Sequence, residues 1–87
     1  MVYQVTILPS ALRALQRLDR PARERILAKI AHLSDNPRPA QSKLLKVGEP
    51  YYRLRVGDYR VIYKIDDEFL VVLVVRIGHR KEIYRRR

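Results

Sequence analysis

Eighty-seven residues without a cysteine predict one small domain over 1–87 with a thin core, because a chain of this size buries only about 60–65% of its unfolded surface; they exclude disulfides, thiolate catalysis and cysteine-based zinc sites. Nineteen Lys and Arg against nine Asp and Glu give a formal charge of +10, which points to a polyanionic partner: nucleic acid first, an acidic protein second, a membrane surface last. Two histidines, His32 and His79, are too few for an expected metal or cofactor site, and no apolar run approaches the roughly 20 residues that span a bilayer; with no basic leader segment in "MVYQVTILPS", the expected location is the cytoplasm.

Val2 to Leu8 is β-rich and stops at Pro9-Ser10, where Ser10 is read as a helix N-cap. Ala11, Leu12, Leu15 and Leu18 then share one helical face, with Arg13, Gln16 and Arg17 on the other. Asp19-Arg20-Pro21 ends that helix and starts a second, with Pro21 in its first turn. Its apolar stripe is Ala22, Ile26, Ile30 and Leu33, and Asn36-Pro37 with Pro39 stops it. So short a link predicts an antiparallel helix pair.

After residue 40 the apolar period changes to two. "SKLLKV" is a short strand, and "YYRLRV" and "YRVIYKI" form a hairpin about Gly57-Asp58. Asp66-Asp67-Glu68 is an acidic turn. "FLVVLVVRI" is apolar at most positions of both faces, as in a central strand covered on both sides or sheltered by a partner. Gly78 is expected to end it, and "HRKEIYRRR" is a basic tail. The fold class is therefore α+β: an N-terminal strand, a helix pair, then three to four mostly antiparallel strands, with the helices on one face of a twisted sheet.

The hairpin carries the sharpest signal. A two-residue turn at Gly57-Asp58 pairs Val56 with Tyr59, so Arg55 lies opposite Arg60. Alternation then puts Arg53, Arg55 and Arg60 on one outer, exposed face, and Leu54, Val56, Tyr59 and Val61 on a core face. Like charges directly across a sheet cost stability, and a face needing only solubility would mix signs. Near the hairpin end of the last strand, His79, Arg80 and Tyr84 are expected to gather with these arginines; Arg76 joins them or not according to the length of the turn at 66–68, which the sequence leaves open. His32 is expected to be structural or exposed, and Tyr51, Tyr52 and Tyr63 are read as ordinary strand residues.

Such a cluster suits RNA. Arginine binds phosphate bidentately, and a tyrosine stacks on an unpaired base. RNA cleavage can use the 2′-hydroxyl as an internal nucleophile, leaving the protein to align the sugar and phosphate, neutralise charge and move two protons. Arginine moves protons poorly because its pKa exceeds about 12, so His79 is the candidate for proton transfer.

The sequence "YYRLRVGDYRVIY" followed by "RIGHRKEIY", with "NPRP" and "KLL" before the hairpin, closely resembles the RelE branch of the RelE/ParE toxin superfamily over nearly the whole chain. The resemblance implies a toxin of a bacterial or archaeal type II toxin–antitoxin module, one that cuts mRNA in the ribosomal A site without a metal. It implies that Arg60 stabilises the transition-state phosphate, that Arg80 assists at the phosphate or leaving group, and that Tyr84 stacks on or orients the nucleotide. Arg53 and Arg55, read as RNA-binding with Arg76, stand where the best-known member carries lysines, which shifts proton transfer toward His79. It also implies a cognate acidic antitoxin as partner, beside the ribosome and mRNA, and no membrane. The alternatives are a gyrase-blocking toxin of the ParE branch, expected to lack the full arginine-and-tyrosine set, and a non-catalytic basic RNA-binding module.

Overall fold

The computed structural model describes residues 2–45 and 50–79. The N-terminal β-rich run forms β1 (Gln4–Ile7), followed by α1 (Pro9–Gln16) and α2 (Arg20–His32). The alternating second half forms β2 (Ser42–Leu45), β3 (Tyr51–Val56), β4 (Tyr59–Asp66) and β5 (Val71–His79). The expected Ser10 cap is displaced. Leu8 is the N-cap without a side-chain hydrogen bond, and Pro9 opens the helix, because its fixed φ suits a first helical position where its missing N–H is no loss. The second helix likewise starts with proline in its first turn.

The five strands form one sheet in the order β1-β5-β4-β3-β2. The four strands after the helices pair antiparallel, as expected. β1 instead runs parallel to β5, Gln4 opposite Val71 through Ile7 opposite Val74; the helix pair together with β2, β3 and β4 lies between them in the chain, far more than the dozen or so residues a parallel pairing requires. Both helices pack on one face. Ala11, Leu15, Ile26, Ile30 and Leu33 join Leu54, Val56, Val61, Tyr63, Val72, Val74 and Ile77 in a single buried cluster. Leu12, expected on the apolar stripe of α1, is instead 39% exposed.

Two departures from regular pairing matter for the site. Residues 67–70 make the turn between β4 and β5. There Asp66 Oδ1 accepts hydrogen bonds from the backbone N–H groups of Glu68 and Phe69 at 3.0 Å each, and Leu70 takes a positive φ of 58°. The second is a bulge: Ile62 pairs with Arg76 but Tyr63 pairs with Val74, so Val75 is the extra residue on β5. A bulge shifts the alternation of everything beyond it. Arg76 therefore comes opposite Ile62, Ile77 returns to the core, Gly78 comes opposite Arg60, and His79 comes opposite Tyr59. Gly78 accordingly lies inside β5 and does not end it.

The end of the sheet away from the Gly57 turn is tied together by polar contacts. Arg38, in the loop after α2, forks onto Asp67 with Nη2–Oδ2 at 2.8 Å and Nη1–Oδ1 at 3.3 Å. Its Nε donates to the Tyr52 hydroxyl at 3.0 Å. The Tyr3 hydroxyl donates to Asp67 Oδ1 at 2.6 Å, joining β1 to the same group. Tyr52 stacks on Tyr63 with ring centroids 5.7 Å apart, and the buried Tyr63 hydroxyl donates to the Pro37 carbonyl at 2.7 Å. Two of the three tyrosines read as ordinary strand residues thus anchor the 36–39 loop.

Candidate nucleic-acid interface

The face of the sheet opposite the helices is built from strand registers. One cross-strand row reads Lys43, Arg53, Ile62 and Arg76. The next, toward the hairpin turn, reads Arg55, Arg60 and Gly78. Lys64 follows Ile62 on the same face of β4, and its Nζ lies 5.6 Å from the centroid of the Tyr51 ring. The acid sharing this parity on β4, Asp66, is at the opposite end of the strand. Two cross-strand pairs, Arg55 with Arg60 and Lys43 with Arg53, set like charges against each other, each a destabilising arrangement in a sheet.

Arg60 occupies the centre of this face. Its pairing with Arg55 is the one read from the sequence, but its exposure is not: it is only 6% exposed. Its neighbour across β5 is Gly78, which presents no side chain beside it. Its Nη1 donates to the Tyr59 carbonyl at 3.2 Å. A guanidinium held this way loses little freedom when it meets a phosphate, which is the condition for electrostatic preorganisation. Arg55, at the rim, is exposed and its Nε donates to the Gly57 carbonyl at 3.4 Å.

The structure gathers Arg53, Arg55, Arg60 and Arg76, and it separates His79 from them. His79 lies opposite Tyr59, meeting that ring edge-on at 5.7 Å, and Tyr59 packs against the helix-side core. The expected clustering of His79 with the arginines fails because the Val75 bulge reverses the parity of the last strand. Arg80 and Tyr84 lie outside the described residues. Sequence reasoning missed Lys43, Lys64 and Tyr51 as members of the face. The signal was available for Lys64, which stands four residues beyond Arg60 in an alternating strand.

Four shifted titrations lie at the far end of the sheet. The hydrogen bonds from Arg38 and then Tyr3 hold the Asp67 carboxyl below its ordinary range. The same interaction with Asp67 raises the Tyr3 hydroxyl, the bond to Asp67 raises Arg38 further, and burial raises Tyr63. Among the described residues no group of three or more His, Asp or Glu is placed to hold a metal ion. What the arrangement offers chemically is a dense positive surface with one buried, oriented guanidinium at its centre.

Comparison with known proteins gives this geometry a family. Residues 5–84 match the family described as ParE toxin of type II toxin-antitoxin system, parDE. The chain is 36% identical to Toxin RelG of Mycobacterium tuberculosis, covering 99% of this chain and all of the relative (100%). It is 31% identical to the mRNA interferase toxin RelE of Escherichia coli, covering 97% of this chain and 92% of that protein. Among solved structures, an archaeal RelE in a RelE–RelB complex from Pyrococcus horikoshii superposes with a TM-score of 0.82 at 32% identity, over 92% of this chain and 97% of the other.

Proposed function

The chain belongs to the ParE toxin family of type II toxin–antitoxin systems, and within it to the RelE branch; from that premise we propose that it is an mRNA interferase that cuts messenger RNA in the ribosomal A site. The observation that carries the reading is the face centred on the buried Arg60, with Arg53, Arg55 and Arg76 at neighbouring register positions of the same face. A surface that only bound nucleic acid would not need one arginine withdrawn from solvent and fixed.

In the proposed reaction the 2′-hydroxyl of the RNA attacks the adjacent phosphorus, its proton departs, and the bond to the 5′-oxygen breaks as that oxygen gains a proton. The product ends are a cyclic phosphate and a 5′-hydroxyl, and no metal enters. Arg60 meets the charge that develops on the phosphorane, Arg53 and Arg76 flank it, and Arg55 holds the neighbouring backbone. The face supplies alignment and charge. His79 is not given the proton-transfer role, since its ring meets Tyr59 on the helix side. Arg80 and Tyr84 keep the phosphate and base-stacking roles that the family resemblance implies.

The partner at rest is an antitoxin, acidic where it covers this face, as the relatives solved in RelB–RelE complexes are partnered. The place of action is the cytoplasm, with the ribosome; among the described residues no helix is long and apolar enough to cross a membrane. The test compares single-turnover cleavage of one mRNA, free and ribosome-bound, with DNA supercoiling followed in parallel. Cuts within A-site codons, accelerated by orders of magnitude on the ribosome, are expected. Equal rates on free and bound RNA would overturn the ribosome requirement, and gyrase-linked DNA breaks without RNA cuts would overturn the interferase reading.

A further inference from the structure

A second cationic surface lies on the far side of the hairpin turn from the arginine face. Arg25, Lys29 and His32 are spaced at i, i+4 and i+7 along α2, so they share one helical face, and that face lines a groove against Arg55 and the β3–β4 turn. The floor is low: Ala28, Val56 and Gly57. Arg25 reaches over the turn so closely that a Cβ at Gly57 would collide with its Nη2. Among the described residues lining the groove there is no carboxylate. Glu24, the acid beside Arg25 in sequence, is bound at 2.8 Å to Arg20.

Arg55 belongs to both surfaces. It pairs across the sheet with Arg60 and also forms one wall of the groove. Arg55 therefore links the two cationic surfaces beside the hairpin turn, where the exposed Asp58 is the one acid of the turn itself. An acidic protein segment would need apolar anchors to bind with much strength, and the apolar part of the floor is a small alanine and a valine only 5% exposed. A phosphate backbone needs only cations in sequence.

We propose that this groove is a second phosphate track for the same RNA strand that crosses the arginine face, carrying the nucleotides that flank the reacting bond over the hairpin turn. The inference rests on the RNA reading above but concerns binding, and its test reads binding.

The test is anisotropy titration of single-stranded RNAs of increasing length against the full-length protein and the Arg25→Gln/Lys29→Gln double variant, over a range of salt. Trinucleotides should bind both proteins alike. Longer RNAs should gain affinity with the wild type and fail to gain it with the variant. The log–log salt slope on long RNA should fall by about 1.4, since each phosphate left without its cation lowers it by about 0.7, and Lys29→Gln alone should remove half of that. Thermal midpoints confirm folding, since both positions are exposed. An unchanged slope, or equal weakening at every length, overturns the track. A defect seen only on ribosomes would assign the groove to ribosomal RNA, and one seen only with an acidic protein partner would assign it to that partner; either also overturns the proposal. Failure of the interferase reading shows separately, as wild-type protein that binds RNA but cuts no ribosome-bound mRNA.

Discussion

Replacing Arg60 by alanine tests the centre of the site. The side chain is 6% exposed, its Nη1 is tied to the Tyr59 carbonyl at 3.2 Å, and it stands between Arg55 and Gly78. Losing one preorganised donor to a developing oxyanion costs about 2.7–4 kcal/mol, or about 10²–10³ in rate. The effect on stability is a difference of two smaller quantities. Removing the charge relieves repulsion with Arg55, worth about 0.2–1 kcal/mol in a sheet, while each buried methylene removed costs about 0.8 kcal/mol. The variant should therefore fold, with a modestly altered thermal midpoint. Arg60→Lys keeps the charge but loses the planar fork, so its rate should fall between those of the alanine variant and the wild type. The assay is single-turnover cleavage of ribosome-bound mRNA, with thermal unfolding followed on the same samples. An Arg60→Ala protein that cuts within about tenfold of wild type, a loss under about 1.4 kcal/mol, would remove Arg60 from the transition state and with it the proposed centre of the face.

Three other outcomes follow from the same geometry. Gly57→Ala should lower the thermal midpoint by at least about 4 °C, because Gly57 has φ of 60° and the left-handed conformation alone costs an alanine about 1–2 kcal/mol, whereas the exposed Arg25 guanidinium beside the new Cβ swings aside at little cost; an unchanged midpoint would mean the turn relaxes freely. The Asp67 carboxyl is held below its ordinary value of 3.8 by Arg38 and then Tyr3, so its contribution is complete above that value and is lost as pH falls through the lower folded-state value. Asp67→Asn should thus be less stable than wild type near neutrality, the gap closing below pH 3.8 and narrowing in high salt; a gap constant with pH would show that the carboxylate charge is not involved. His79→Ala should forfeit the edge-on packing against Tyr59, about 0.5–1.5 kcal/mol, and leave the pH–rate profile near neutrality unchanged; a vanished limb would place the imidazole in proton transfer and refute its assignment to the helix side.

Local chemistry made much of this molecule legible from its sequence. Gly57-Asp58 between alternating runs set the hairpin register, and every pair from Arg55–Arg60 to Arg53–Ile62 is as read. The stripe Ile26, Ile30 and Leu33 is buried as its spacing required. Three features depended on contacts far apart in sequence. The parallel docking of β1 beside β5 leaves no local trace, because a strand does not encode which edge it joins. The bulge at Val75 inserts one residue into an unbroken apolar run, where no glycine or proline marks it, yet it decides that Arg76 and not His79 joins the arginines. The burial of Arg60 is a property of the assembled face and not of any strand in it.

The same face breaks three ordinary sheet preferences: like charges stand opposite one another, a guanidinium is withdrawn from solvent, and a bulge interrupts the longest strand. Rule-breaking concentrated in one place is what a functional surface produces, since stability is given up only where another requirement outweighs it. The opposite end carries the compensating order, with Arg38, Asp67, Tyr3, Tyr52 and Tyr63 joining β1, the 36–39 loop and the β4–β5 turn. A thin sheet with both helices on one side has no element in its described residues to close over the other. In-line attack by a 2′-hydroxyl nevertheless needs one sugar and one phosphate fixed, an alignment worth about 7–11 kcal/mol of a barrier, and contacts to phosphate alone do not choose one phosphate among many. On the reaction proposed above, an open arginine face needs a second body that already holds the RNA in a defined path, a part there given to a ribosome holding a codon.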